Sequence, residues 1–196
     1  MAHYFDREQD SDLRITTIES TLRGNNFRFL TGSGVFSVGR VDKGSLLLIE
    51  RCAIPEEGRV LDLGCGFGVI GIAIARAFPK TGVILSDVNE RAVMLAGKNI
   101  GMNKAENAVA VRGDGYENVE GKFDVILLNP PQSAGKELCL RLMKEAKGHL
   151  AKGGSLQAVM RHKVGGKDMS EKTAPFYRSL DILAIKGGYR VYRFNL

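Results

Sequence analysis

From residue 59 the chain alternates between short unbroken apolar runs and longer segments whose apolar residues recur every three or four positions. RVLDL (59–63), GVILSD (82–87), NAVAVRGD (107–114), FDVILLN (123–129) and SLQAVMR (155–161) read as strands. Between them, VIGIAIARAF (69–78) reads as a buried helix stopped by Pro79. NERAVMLAGKNIGMN (89–103) has apolar residues at 92, 95, 96 and 100, and SAGKELCLRLMKEAKGHL (133–150) places Leu138, Leu142, Ala146 and Leu150 on one side. That spacing predicts helices. Strands apolar on both faces belong to a parallel sheet covered by helices on each side. The ending SLDILAIKGGYRVYRFN (179–195) reads as two antiparallel strands around Gly187-Gly188. The expected fold is α/β, a mostly parallel seven-stranded sheet with an antiparallel C-terminal hairpin.

Ahead of this rhythm, LRITTIESTLRGNNFRFLT (13–31) alternates weakly and is expected to turn at Gly24-Asn25-Asn26 as a β-hairpin. VDKGSLLLIERC (41–52) reads as a short helix capped by Asp42. The division that follows is a polar tail (1–12), a hairpin and helix extension (13–52) and a catalytic domain (53–196). A Gly-rich and then polar stretch containing Pro175 separates the strand at 155–161 from the C-terminal pair.

Composition narrows the class only a little. The 44% apolar content supports a packed core, and the 28 basic against 22 acidic residues give a net charge of +6. That excess permits a polyanionic partner without requiring one. The cysteines, Cys52, Cys65 and Cys139, are odd in number and none are two residues apart. A reduced, cytoplasmic setting and no metal site are expected. No run approaches the ~20 apolar residues of a membrane helix, and the acidic start is unlike a signal peptide.

Open α/β sheets bind ligands where their strands end. The first such end is DLGCGFG (62–68). Gly66-x-Gly68-x-x-Gly71 matches a dinucleotide fingerprint, with Asp87 at a suitable distance. The strand stops at Leu63, however, so the loop starts at Gly64 and the better frame is Asp62-x-Gly64-x-Gly66-x-Gly68. A carboxylate beside that loop is poorly placed for a pyrophosphate and suits a cation. S-adenosylmethionine, with its ammonium and sulfonium groups, is the expected cofactor. Asp87, at the second strand end, can accept two hydrogen bonds from a ribose diol or cap the following helix. Asp114 can accept from an adenine amine or form an Asp-Gly turn.

At FDVILLNPPQ (123–132), prolines at 130 and 131 force Asn129 into an extended conformation and remove two backbone donors. The Asn129 side-chain oxygen and nearby carbonyls become acceptors in a stiff loop. Two such acceptors can hold both hydrogens of an amine. An exocyclic base amine is a weak nucleophile because its lone pair is delocalised. Holding its hydrogens out of the ring plane aims that lone pair at an incoming methyl group, so catalysis is by positioning and fixed dipoles.

Asp62-Leu-Gly-Cys-Gly-Phe-Gly68, Ser86-Asp-Val88, Asp114 and Asn129-Pro-Pro131 resemble a class I S-adenosylmethionine-dependent methyltransferase with an N-P-P motif. Gly34-Val-Phe-Ser37, Val41-Asp-Lys-Gly-Ser-Leu-Leu-Leu48 and Lys186-Gly-Gly-Tyr-Arg-Val-Tyr192 are similar to the small-domain members, which include ribosomal RNA guanine-N2 methyltransferases, and especially to compact archaeal ones. The resemblance implies cofactor contacts from Asp62, Gly64, Cys65, Gly66, Gly68, Asp87, Val88, Asp114 and Asn129. It implies catalysis by Asn129, Pro130 and Pro131 on an RNA amine, with ribosomal RNA or a ribosomal subunit as partner. Arg161, His162 and Lys163 follow a core strand and, with Lys136 and Arg40, are the expected phosphate contacts. Gln132 stands where the motif often carries a stacking aromatic; Tyr116, Phe36 and Tyr177 are candidates to replace it. A protein glutamine N5-methyltransferase and a non-catalytic cofactor-binding partner are the alternative readings.

Overall fold

A computed structural model describes residues 12–131 and 134–196. The expected polar tail, except residue 12, and Gln132 lie outside these residues. Two strands, β1 (Ile15–Leu22) and β2 (Asn25–Gly32), form an antiparallel hairpin. Its turn falls at Arg23-Gly24, two residues whose φ values of 45° and 75° match a tight hairpin turn, so Asn25 and Asn26 already belong to β2 rather than to the turn. Helix α1 (Lys43–Arg51) follows, and Asp42 caps it by accepting from Ser45 N at 2.8 Å.

The core then alternates as the pattern predicts: β3 (Gly58–Leu63), α2 (Val69–Ala77), β4 (Thr81–Asp87), α3 (Glu90–Met102), β5 (Ala108–Arg112), β6 (Phe123–Leu128), α4 (Lys136–Glu145) and β7 (Leu150–Arg161). Helix α4 is shorter than the expected 133–150 because residues Ala146–His149 tighten into a 3₁₀ turn. The Gly-rich and polar stretch holds an element that apolar spacing does not reveal. A wide turn at His162–Gly166 leads into α5 (Lys167–Thr173), which buries Met169, Ser170 and Thr173. Strands β8 (Ser179–Lys186) and β9 (Tyr189–Asn195) close the chain.

The seven strands lie in the order β5-β4-β3-β6-β7-β9-β8. All run parallel except β9, which is antiparallel to both of its neighbours. Strand order reverses between β3 and β6, so the loops after these two strands open a crevice at the carboxyl edge.

Successive residues of β3 and β6 serve opposite faces. Val60, Val125 and Leu127 pack with Leu48, Ile72, Leu95 and the hairpin's Phe29. Leu61, Ile126 and Leu128 pack with Cys139, Met143 and Met169. The hairpin and α1 therefore share a core with the sheet. Asn99 of α3 and Asn103, which caps its carboxyl end, bind the hairpin as a strand would. Asn99 accepts from Leu30 N at 2.7 Å and donates to Leu30 O and Phe67 O, both at 2.8 Å. Asn103 exchanges a similar pair with Arg28.

Gly71 marks the closest approach of α2 to the sheet. A Cβ there would lie 2.6 Å from Leu85 Cγ, and Leu85 is fully buried. Gly71→Ala is expected to cost about 1–3 kcal/mol of folding stability, the usual scale of overpacking. A urea midpoint lowered at constant m-value would show it, and an unchanged midpoint would mean that Leu85 moves freely.

Candidate active site

The crevice between the β3 and β6 loops is a cleft of about 350 Å³. Gly64, Cys65 and Gly66 line one side, Asp87 and Val88 another, and Asp114, Asn129, Pro130 and Pro131 the remainder. Residues 50 positions apart in sequence meet here because parallel strands deliver their ends to one edge.

The glycine loop is held by β4. Gly64 N and Cys65 N both donate to Ser86 O, at 2.8 and 3.0 Å, and Gly66 N donates to Asp87 Oδ2 at 2.8 Å. Gly64 and Gly66 have φ of 70° and 56°. A Cβ on Gly64 would meet no protein atom within 4 Å, and one on Gly66 only Val35 at 4.0 Å. These glycines thus leave the cleft open at its floor. Gly68 differs: its Cβ would meet Leu85 at 2.9 Å and Ile72 at 3.0 Å, so it packs α2 against the sheet and does not line the cleft.

Asp62 lies behind the loop, fully buried, and its Oδ2 accepts from Gly71 N at 2.7 Å. A carboxylate of this chain therefore occupies the amino end of α2, where a dinucleotide site would hold its pyrophosphate. With the loop amides given to β4 and the helix end given to Asp62, the crevice is poor in free donors for an anion. It is instead suited to a cation. Asp62 Oδ1 has no partner among the described residues, but Asp62 does not itself line the cleft, so a carboxylate there draws a cation through its charge or a bridging water.

Burial raises the Asp62 carboxyl to about 7; the Gly71 amide opposes this, and the charge of Asp87 adds to it. A carboxyl raised in this way is neutral below its folded pKa and becomes an anion above it. Cofactor affinity is therefore expected to rise as pH increases from about 5.5 to 7, a range below the ~7.7–8.0 of an α-amino group. Binding in that range should release protons, and Asp62→Asn should flatten the profile. Calorimetry in buffers of different ionisation enthalpy measures both effects.

Asp87 Oδ1 accepts from Asn89 N at 2.9 Å, while Asn89 caps α3 with its own side chain. Burial raises the Asp87 carboxyl, and the Asn89 and Gly66 amides partly offset the rise. Asp114 lines the cleft but also pairs with Arg141 of α4 at 3.2 Å. Arg141, Leu138 and Leu142 were not legible as site residues from the chain alone, yet all three line the cleft. The one available signal was their recurrence on the face of α4 turned toward the sheet.

Asn129 Nδ2 donates to Asp42 Oδ2 at 2.9 Å and to Ser45 Oγ at 3.0 Å. Its Oδ1 has no partner among the described residues. The Pro131 carbonyl is taken by Ala134 N at 2.8 Å. The aromatic candidates separate clearly. Tyr116 and Tyr177 are buried, their hydroxyls donating to Leu142 O and Met143 O. Phe36 is 37% exposed and lines the cleft.

The five basic residues expected to contact phosphates lie outside the cleft lining, whereas Arg141 lines it. Arg161 ends β7 and its guanidinium covers the Tyr189 ring at 5.5 Å. His162 Nδ1 meets Tyr192 Oη at 2.7 Å, and desolvation with the charges of Arg190 and Lys167 keeps it below the usual histidine range. Lys163 lies in the wide turn after β7, Lys136 pairs with Asp168 at 3.3 Å, and Arg40 lies in the loop that carries Phe36.

Residues 26–193 match the family described as "Methyltransferase small domain". The chain belongs to the methyltransferase small-domain family. As a small-domain protein it is an S-adenosylmethionine-dependent methyltransferase, and the acceptor-rich cleft fits that cofactor. It is 35% identical over 194 residues to the YbxB protein of Bacillus subtilis, covering 97% of this chain and 96% of that one. It is 37% identical over 164 residues to Ribosomal RNA small subunit methyltransferase C of Pseudomonas entomophila, covering 82% of this chain and 48% of the relative. The chain thus spans about half the length of the ribosomal RNA methyltransferases it matches. A solved Thermus thermophilus 16S rRNA N2 G1207 methyltransferase, in complex with AdoMet and guanosine, shares the fold with a TM-score of 0.80 at 23% identity. That match covers 96% of this chain and 52% of the other. Among the described residues, no helix is long and apolar enough to cross a membrane.

Proposed function

We propose that this small-domain methyltransferase methylates an exocyclic amine of an RNA base, with guanine N2 of ribosomal RNA as the favoured target. The observation that carries the reading is the orientation of Asn129. With its nitrogen committed to Asp42 and Ser45, its oxygen is the polar atom left for a substrate in the cleft. Pro130 contributes a second acceptor through its carbonyl, and neither proline supplies a competing donor. Such a pair suits an –NH₂ group.

S-adenosylmethionine, when bound, supplies an electrophilic methyl group. Asp87 would hold its ribose and Asp114 its adenine amine, while Asp62, behind the glycine loop, would draw its ammonium end by charge. Asn129 and Pro130 hold both hydrogens of the target amine, which weakens conjugation of its lone pair with the ring. Positioning and fixed dipoles then lower the barrier without a strong base. The proton leaves the methylated nitrogen for water. Phe36, the more exposed of the two phenylalanines that line the cleft, is the one on which the target base stacks, a contact worth about 1–3 kcal/mol per base. Arg161, His162, Lys163, Lys136 and Arg40 lie outside the cleft lining and would meet phosphates of the surrounding RNA.

Support for ribosomal RNA comes from the relatives that bear that activity in their names. The test is tritiated methyl transfer to naked ribosomal RNA, assembled ribosomal subunits, tRNA and total protein in parallel, followed by nucleoside analysis. N2-methylguanosine in ribosomal RNA or in a subunit is the expected product. Label in protein glutamine would replace this reading with an amide N-methyltransferase, and label in no arm would remove it.

A further inference from the structure

We propose that Asp42, aided by Ser45, is a positioning residue that sets the orientation of the Asn129 amide. For turnover this rests on the methyl-transfer reading above; the orientation itself rests on the contacts alone.

An asparagine amide can be turned over with little change in shape, exchanging a donor for an acceptor. For a residue that must present oxygen to an amine, the turned form is useless. Asp42 removes that ambiguity. Its carboxylate can only accept, and its Oδ2 receives both Ser45 N at 2.8 Å and Asn129 Nδ2 at 2.9 Å. A turned Asn129 would set its own oxygen against this carboxylate, two acceptors with no hydrogen between them. The Ser45 hydroxyl, 3.0 Å from the same nitrogen, engages it a second time. Donating to a charged partner also polarises the amide and strengthens its oxygen as an acceptor.

The local sequence is built for this second duty. Asp42 caps α1 and Ser45 sits three residues on, so both side chains point back over the helix start. Gly44, between them, is packed closely: a Cβ there would lie 3.0 Å from Asp42 Oδ2 and 3.1 Å from Tyr189. Its lack of a side chain leaves room for the carboxylate that joins α1 to the end of β6, 87 residues later in the chain.

The test separates capping from orientation. Serine is a good helix cap but is one atom too short to span to Asn129, whereas asparagine can place an oxygen where Oδ2 stands. The first readout is hydrogen exchange of the Asn129 side-chain NH₂, assigned by its loss from the ¹H–¹⁵N spectrum of Asn129→Ala. Asp42→Ser should speed this exchange by about tenfold or more, as expected when a local hydrogen-bonded group opens, and Asp42→Asn should restore protection. The second readout is tritium transfer to ribosomal RNA. Asp42→Ser should lower kcat by about tenfold, the scale of coupling between contacting residues, with KM for S-adenosylmethionine unchanged and kcat largely recovered in Asp42→Asn. In the Asn129→Ala background, Asp42→Ser should add no further loss. Unchanged exchange in Asp42→Ser, or a full additional loss in the double variant, would overturn the assignment. If the unaltered protein methylates no RNA, the functional reading fails while the exchange result still decides the orientation.

Discussion

Asn129→Ala is expected to lower kcat for methyl transfer by about 100-fold, the effect of removing one oriented group that acts on the reacting centre. Affinity for S-adenosylmethionine should be almost unchanged, because the role proposed for the amide is to meet the target amine and the loop after β3 is untouched. The fold should tolerate the change as well. Asp42 keeps its capping bond from Ser45 N when Asn129 is truncated, and Asn129 is only half-buried. Single-turnover rates at saturating RNA, together with a calorimetric titration of the cofactor, check both parts. Equal turnover would end the amine-holding role. Asn129→Asp should be worse than alanine, since it sets a second carboxylate against Asp42 across a contact now 2.9 Å long.

The second large effect is expected at Asp87. Its two oxygens hold Gly66 N and Asn89 N, so the carboxylate fastens the glycine loop to the start of α3 while facing the cleft. Asp87→Ala removes the acceptor proposed for the ribose diol and frees the loop together. Hydrogen bonds to charged groups contribute about 1.5–3 kcal/mol each, which corresponds to roughly ten- to hundredfold weaker cofactor binding. Calorimetry reads the loss directly, and unchanged affinity would remove Asp87 from the site. The Asn129 and Asp87 variants should thus separate cleanly, one failing in turnover and the other in donor binding.

Some features are legible in the sequence because they depend on local chemistry. Apolar runs ending in Asp62-Leu63, Ser86-Asp87 and Leu128-Asn129 announce strand ends, and the parallel topology then forces those ends together. The hairpin was legible, but its turn starts one residue earlier and excludes the asparagines: Asn25 and Asn26 look like turn formers, whereas Arg23 and Gly24 adopt the positive φ values. Helix α5 escaped because its seven residues, KDMSEKT, bury a methionine, a serine and a threonine rather than a stripe of large apolar side chains. The duties of Asp62 and Asp42 were legible only in part. A carboxylate near a glycine loop suggested a cation partner, but nothing in the chain showed that it would also occupy the amino end of α2. Asp42 was readable as a cap. Its reach to Asn129 depends on α1 packing beside β6, a contact between segments far apart in the chain that no local pattern encodes.

Strand β9 carries a consequence for the strand before it. It lies between β7 and β8 although it follows both. Strand β8 therefore joins the sheet only through Tyr189–Asn195, and its Ile182 and Ile185 stay exposed even in the finished molecule. Without β9 the chain carries an unpaired apolar strand, the kind of segment that aggregates or recruits a chaperone. A stop codon placed between β8 and β9 should therefore yield insoluble protein, even though it spares every residue of the cleft.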